Sequence, residues 1–240
     1  MSYFRRATGA LLVSACLGIP FFSSATGMVP DTTVVLLDEA AQGGTINVKN
    51  TDTGPELLYV TVRDLKDDPR PQVIVTQPIS RVEAGGNQQV RFVLTDKTPL
   101  TVQHLKRVTF EGIPVKKSGK NELSMTLRQD LPLIISPKGL ADDVAPWKRL
   151  TWRVRGQHLE VNNSSPYVVR LSQQVQLLPS KQSGMLDKTY ILPGETLNIS
   201  LKTPSALAGS TQVRLFPATR YGFQAQDYTA PLTASTAGNK

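Results

Sequence analysis

One cysteine, Cys16, occurs in the 240 residues, and histidine occurs only at His104 and His158. A single thiol has no partner, so a disulfide framework is excluded and stability rests on packing and hydrogen bonds. No segment sustains a helical period with capping residues at its ends. No glycine-rich loop precedes a helix, no serine sits in a nucleophile elbow, and no His, Cys and Asp fall at metal-ligand spacing. The chain therefore reads as a non-enzyme with no catalytic residue, metal, cofactor or small-molecule substrate. The two histidines are far apart, each alone in strand-like surroundings, and the pair Asp142-Asp143 reads as a solvated break rather than an acid–base site.

Hydrophobic residues make up 40% of the chain and charged residues 19%, which places it among globular rather than disordered proteins. The net charge of +8 falls to +6 without residues 1–27, which carry Arg5 and Arg6 and no acid. Apart from Lys116-Lys117 and Lys120 the basic residues are scattered, so no nucleic-acid partner is implied. Arg5-Arg6, the apolar run from Ala7 to Phe22 and the small residues Ser23 to Gly27 follow the order of a secretory signal peptide. Cleavage after Ala25 or Gly27 leaves a start near Met28 and removes Cys16. A lipoprotein box at Val13-Ser14-Ala15-Cys16 is the alternative, although the apolar run continues past the cysteine.

What fills the rest is short runs of β-branched residues and leucine between Gly, Pro, Asn and Asp turns. Thr32–Leu37, Thr45–Val48, Leu57–Val62, Gln72–Thr76, Gln88–Leu94, Leu105–Phe110 and Glu122–Ile135 read as strands. That number in a little over 100 residues predicts an immunoglobulin-like sandwich. Residues 141–148 break the rhythm and read as a hinge. Strand runs resume at Leu150–Val154, His158–Val161, Val168–Val175, Thr196–Leu201, Val213–Phe216 and Tyr221–Tyr228. The predicted organisation is all-β: a signal peptide at 1–27, one sandwich at 28–140, a second at 149–228, and a flexible tail at 229–240.

Four stretches in order resemble the periplasmic chaperones of the chaperone–usher pilus pathway. They are Val75 to Gly85 with Val90-Arg91-Phe92, Phe110 to Pro114 with the long strand ending at Ser136-Pro137, Leu150 to Val168 with its Asn163-Ser164-Ser165-Pro166-Tyr167 turn, and Tyr221-Gly222. The resemblance implies that the two sandwiches are set at an angle with an inter-domain cleft between them, in a cofactor-free chaperone that lends a strand to pilus or fimbrial subunits and delivers them to an outer-membrane usher. Such strand lending is a recognised form of β-strand addition. In the long strand Leu123, Met125 and Leu127 alternate with polar residues, which makes them the subunit-binding set if the strand is an edge; otherwise they face their own core.

The family's Arg and Lys, which grip the subunit's terminal carboxylate, fall on Val34 and Pro132. Neither binds a carboxylate, so Arg128, Lys138, Arg149 and Arg220 become candidates to line the cleft, each with a surface-charge role as the alternative. Two other functions stay open: a tandem-domain pilus component, which the absence of a disulfide disfavours, and an accessory chaperone without the usual anchor.

Overall fold

The computed structural model describes residues 27–114, 126–156, 158–201, 207 and 209–234. The first sheet comprises β1 (Met28–Pro30), β2 (Val35–Asp38), β3 (Gly43–Asn50), β4 (Glu56–Asp64), β5 (Val73–Val75), β6 (Ile79–Val82), β7 (Asn87–Leu94), β8 (His104–Pro114) and β9 (Arg128–Ser136). Its order is β5-β7-β3-β2-β9-β8-β4-β6, with β1 added on β3. The chain entering through β1 switches neighbours, so β2 pairs in parallel with β9 and meets β3 only at Asp38 and Gly43. Folded on itself at that corner, the sheet turns one face of every strand inward. Ile46 and Val48, Leu58 and Val60, Val90 and Phe92, and Leu133 and Ile135 alternate with exposed or half-buried neighbours in β3, β4 and β7 and fill one core.

A turn of 3₁₀ helix, Pro146–Arg149, leads into the second domain, where buried Trp147 joins the core. Its strands are β10 (Thr151–Arg155), β11 (His158–Asn162), β12 (Val169–Leu178), β13 (Ser183–Met185), β14 (Tyr190–Ile191), β15 (Thr196–Leu201), β16 (Gln212–Pro217) and β17 (Tyr228–Ala234). They run in the order β13-β15-β11-β10-β17-β16-β12-β14, with β13 also on β12. Both domains are immunoglobulin-like sandwiches.

Two expectations are corrected. No strand spans Tyr221–Tyr228: Gly222 N–H closes a turn onto Thr219 O at 2.9 Å, at a positive φ of 87° that suits glycine. The expected tail at 229–240 is a strand through Ala234, antiparallel to β16 and parallel to β10. Ala230 is buried and Tyr228 and Leu232 pack on the core, an alternation that the small residues around them disguise.

A buried asparagine pins a loop in each domain. Asn50 Nδ2 donates to Gly54 O at 2.9 Å and Val82 O at 3.0 Å. Asn163, from the Asn-Ser-Ser-Pro-Tyr turn, donates to Tyr167 O at 2.8 Å and to Ile191 O and Leu192 O at 3.1 Å, while Ser165 Oγ donates back to its Oδ1 at 2.6 Å. Each amide thus ties together backbone carbonyls from separate segments of its domain, and Leu192 O also accepts from Glu195 N–H at 3.1 Å.

Candidate functional site

The site is an edge strand beside a hinge. On β9, residues 128–135 pair with β8, whereas on the other side β2 covers only Leu133 to Ser136. Among the described residues, the backbone of 128–131 has no strand on that second side. Gly112 N–H donates to Leu127 O at 3.4 Å and Glu39 N–H to Ser136 O at 3.0 Å. Odd-numbered residues therefore turn their backbone groups to β8, and Arg128 and Asp130 turn theirs to the open edge, ahead of the pairing with β2. Pro132 brings a carbonyl but no N–H, so the row of donors stops there.

Side-chain parity adds a second feature. Leu133 and Ile135 point into the first core and Leu131 packs on it; Leu127 shares their parity yet is 43% exposed. Its backbone is still held by β8, but the core has ended. Leu123 and Met125 lie outside the described residues.

Between the domains a third apolar cluster joins Val34, Leu105 and Ile134 of the first domain to Val168 and Leu192 of the second. Val34, the position of the family's Arg, is thus packed into the interface, and Pro132 is buried as well. Polar links surround the cluster. Gln103 N–H donates to Pro166 O at 2.8 Å, its Oε1 accepts from Val168 N–H at 3.0 Å, and its Nε2 donates to Ser136 Oγ at 3.1 Å. Thr33 Oγ1 donates to Tyr221 O at 2.7 Å.

Lys188 of the second domain reaches Asp67 of the first and also Glu195 Oε1 at 2.6 Å, with Tyr190 Oη on Asp67 at 3.2 Å. Burial acts to raise the Asp67 carboxyl and to lower the Lys188 ammonium, but the charged hydrogen bonds outweigh it in both. Asp67 ends below its ordinary value and Lys188 above. The adjacent Asp68 is clamped to β8: it accepts from Leu105 N–H and meets His104 Nδ1, each at 2.8 Å, and its carbonyl accepts from fully buried Lys106 at 2.7 Å.

A small cavity between the domains is lined by Ile134, Ser136, Arg170, Thr219 and Arg220, among others. Of the four basic candidates Arg220 lines it, paired with Asp142 at 2.5 Å. Arg128 is held by Glu111 on the exposed face at 2.5 Å, and Arg149 by Asp143 at 2.6 Å. Lys138 is exposed, its N–H donating to Glu39 at 2.8 Å. Sequence reasoning missed Arg170. Its signal was a charge inside the run Val168–Val175, between Val169 and Leu171, which both face the core. Among the described residues no three His, Cys, Asp or Glu side chains group to hold a metal ion.

Two immunoglobulin-like domains and an open strand edge suit the binding of a partner by strand addition. The family of pili and flagellar-assembly chaperones matches here through its PapD N-terminal domain at residues 27–141, and the pili-assembly chaperone PapD C-terminal domain at 145–229. The chain belongs to this family. It is a chaperone of pilus assembly that acts on fimbrial subunits, and membership makes the periplasm its place of work. It is 49% identical to the fimbrial chaperone YhcA of Escherichia coli over 170 residues, 70% of this chain and 76% of that protein. Its fold is similar to that of the Escherichia coli chaperone DraB, with a TM-score of 0.68 at 19% identity over 85% of this chain and 98% of that one. It is equally similar to the SafB chaperone solved with the SafA pilin of Salmonella enterica, with a TM-score of 0.68 at 19% identity over 88% and 98%.

Proposed function

We propose that this chaperone captures a fimbrial subunit by laying the open edge of β9 along it, with Leu123, Met125 and Leu127 as the side chains it inserts, and that it hands the subunit to an outer-membrane usher. Residues 1–27 are then a leader removed on export. The observation that carries this reading is Leu127, an exposed leucine on the core-facing parity of a strand whose next residues have, among those described, no strand on the side away from β8. An exposed apolar edge is a hazard that soluble proteins cover unless a partner covers it for them. Burying a leucine is worth about 1.5–3 kcal/mol, so three in one groove give substantial affinity without a cofactor.

The test replaces Leu123, Met125 and Leu127 together with serine and co-expresses the variant with fimbrial subunits. Subunit co-purification is lost, while thermal unfolding of the free chaperone shifts little because no core is emptied. A loss of intrinsic stability near the ~2–5 kcal/mol of emptying one core leucine would instead make them core residues.

A further inference from the structure

The turn that joins β16 to β17 carries the two most exposed aromatic side chains among the described residues, Tyr221 at 55% and Phe223 at 69%. Neither belongs to any of the three apolar clusters. Their backbone is nevertheless fixed. Gly222 N–H donates to Thr219 O at 2.9 Å, Thr219 N–H to Phe223 O at 2.8 Å, and Ala225 N–H to Pro217 O at 2.8 Å. Arg220, paired with Asp142, holds its guanidinium 5.6 Å from the centre of the Tyr221 ring. From the first domain Thr33 donates to Tyr221 O at 2.7 Å, and a Cβ at Gly222 would stand only 2.2 Å from Thr33 Oγ1 and 3.0 Å from Val34 Cγ2. Single exposed apolar residues are ordinary, but two neighbouring rings held in water on a braced turn need a reason.

The place of the turn supplies one. Val34 lies one residue before Val35, the first residue of β2 to pair with β9, opposite Leu133. The open edge of β9 therefore ends beside Thr33 and Val34, and the turn sits on those two residues. A strand laid on 128–131 cannot continue along β9 to Leu133, because β2 holds that place. It leaves the sheet there, and the braced turn is the surface it meets. Beside the turn opens a cavity of about 420 Å³ whose walls include Phe216, Pro217, Ala218, Gly222 and Gln224. No charged side chain among the described residues lines it, so it suits an uncharged occupant.

We propose that Tyr221, Phe223 and the cavity beside them form a second contact with the captured fimbrial subunit, and that they receive a large apolar side chain from the segment in which the client leaves β9. This contact rests on the strand-lending reading and adds selectivity to it. Main-chain pairing on β9 gives affinity without reading a side chain, whereas an aromatic surface beside a cavity reads one. The turn is fixed before the client arrives, so little freedom is lost when the rings are covered.

The full chain is co-expressed with a tagged fimbrial subunit, and the complex is recovered from the periplasm. Tyr221→Ser combined with Phe223→Ser lowers the recovered complex roughly ten-fold or more, the change expected from uncovering one buried ring. The thermal midpoint of the free chaperone stays unchanged, because no core is emptied. Phe223→Leu keeps most of the capture, and Ile74→Ser, which removes an exposed apolar side chain from β5, keeps all of it. A photoreactive phenylalanine analogue at position 223 crosslinks to the subunit, and the same analogue at position 74 does not. Full capture by the double serine variant, or an intact complex without a crosslink from 223, overturns this contact and leaves the edge reading standing. Capture that survives serine at Leu123, Met125 and Leu127 and still crosslinks from 223 overturns the strand reading instead, and with it the exit segment as the occupant.

Discussion

Replacing Lys188 with methionine takes away the one cation that joins Asp67 of the first domain to Glu195 of the second. Side-chain exposures of 19% for Lys188, 38% for Asp67 and 20% for Glu195 put the group between an exposed pair, worth about 0–1 kcal/mol, and a buried one, whose breakage costs about 3–5. With the exposed side of Asp67 discounted for solvent screening, the expected cost is about 2 kcal/mol. Asp67→Asn cuts only the link between domains, and the two substitutions together give a coupling near 1 kcal/mol. Urea unfolding read by tryptophan fluorescence is the assay, since Trp147 and Trp152 both lie in the second core. Small-angle scattering reads the angle between domains. The pH behaviour has a definite sign. Asp67, held below its ordinary 3.8, contributes stability above that range and loses it as pH falls through its lowered value. Lys188, held above its ordinary 10.5, contributes below that value and loses it as pH rises through the raised one. The latch is therefore flat across neutral pH and yields to salt, whose screening length is about 3 Å at 1 M. Zero coupling together with an unchanged scattering profile would refute the reasoning.

Two further outcomes follow. Glu56 is buried with Oε2 unpartnered among the described residues, and its carboxyl is pushed above the ordinary 4.5 by burial first and by Asp52 second, so ionised Glu56 costs stability as pH rises through that region. Glu56→Gln therefore gains on wild type between pH 4.5 and pH 8 in urea melts, and a constant difference refutes this. Asn163→Ala removes a donor from Tyr167 O, Ile191 O and Leu192 O, of which Leu192 O keeps the Glu195 N–H, and costs about 1–3 kcal/mol in thermal unfolding, whereas a cost within about 0.5 kcal/mol would show that water replaces it.

The sandwich architecture was legible because most strands bury every second residue, and β-branched alternation bounded by turn residues reports that directly. The edge at Leu127 was legible as alternation, but parity alone cannot say where a core ends. That required the register of β2 against β9. Strand β17 was misread because Thr229, Pro231 and Thr233 face outward and Ala230 is small enough to fill a buried position without looking apolar. The polar interior was hidden for another reason. Lys106 carries the most exposed kind of side chain and is fully buried, because Asp64 at the end of β4, 3.0 Å away, and the Asp68 carbonyl in the loop beyond it meet it from a segment distant in sequence. Arg170 was passed over inside an apolar run. An outward-facing charge next to the hinge is the sign that would have marked it.

Strand β8 is the beam on which the molecule's mechanics turn. Near its start Gln103, His104, Leu105 and Lys106 fasten it to the second domain and to the Asp68 loop, and over most of its length it is bonded to β9. A tug on the second domain enters through Asp67 and Gln103, travels along β8 and arrives as shear on the ladder that holds the edge strand. Ladders loaded in shear share the force over many hydrogen bonds, whereas one loaded from its end opens bond by bond. On the proposed strand pairing, a client pulled along β9 would be gripped firmly, and one peeled from the Leu127 end would come away stepwise.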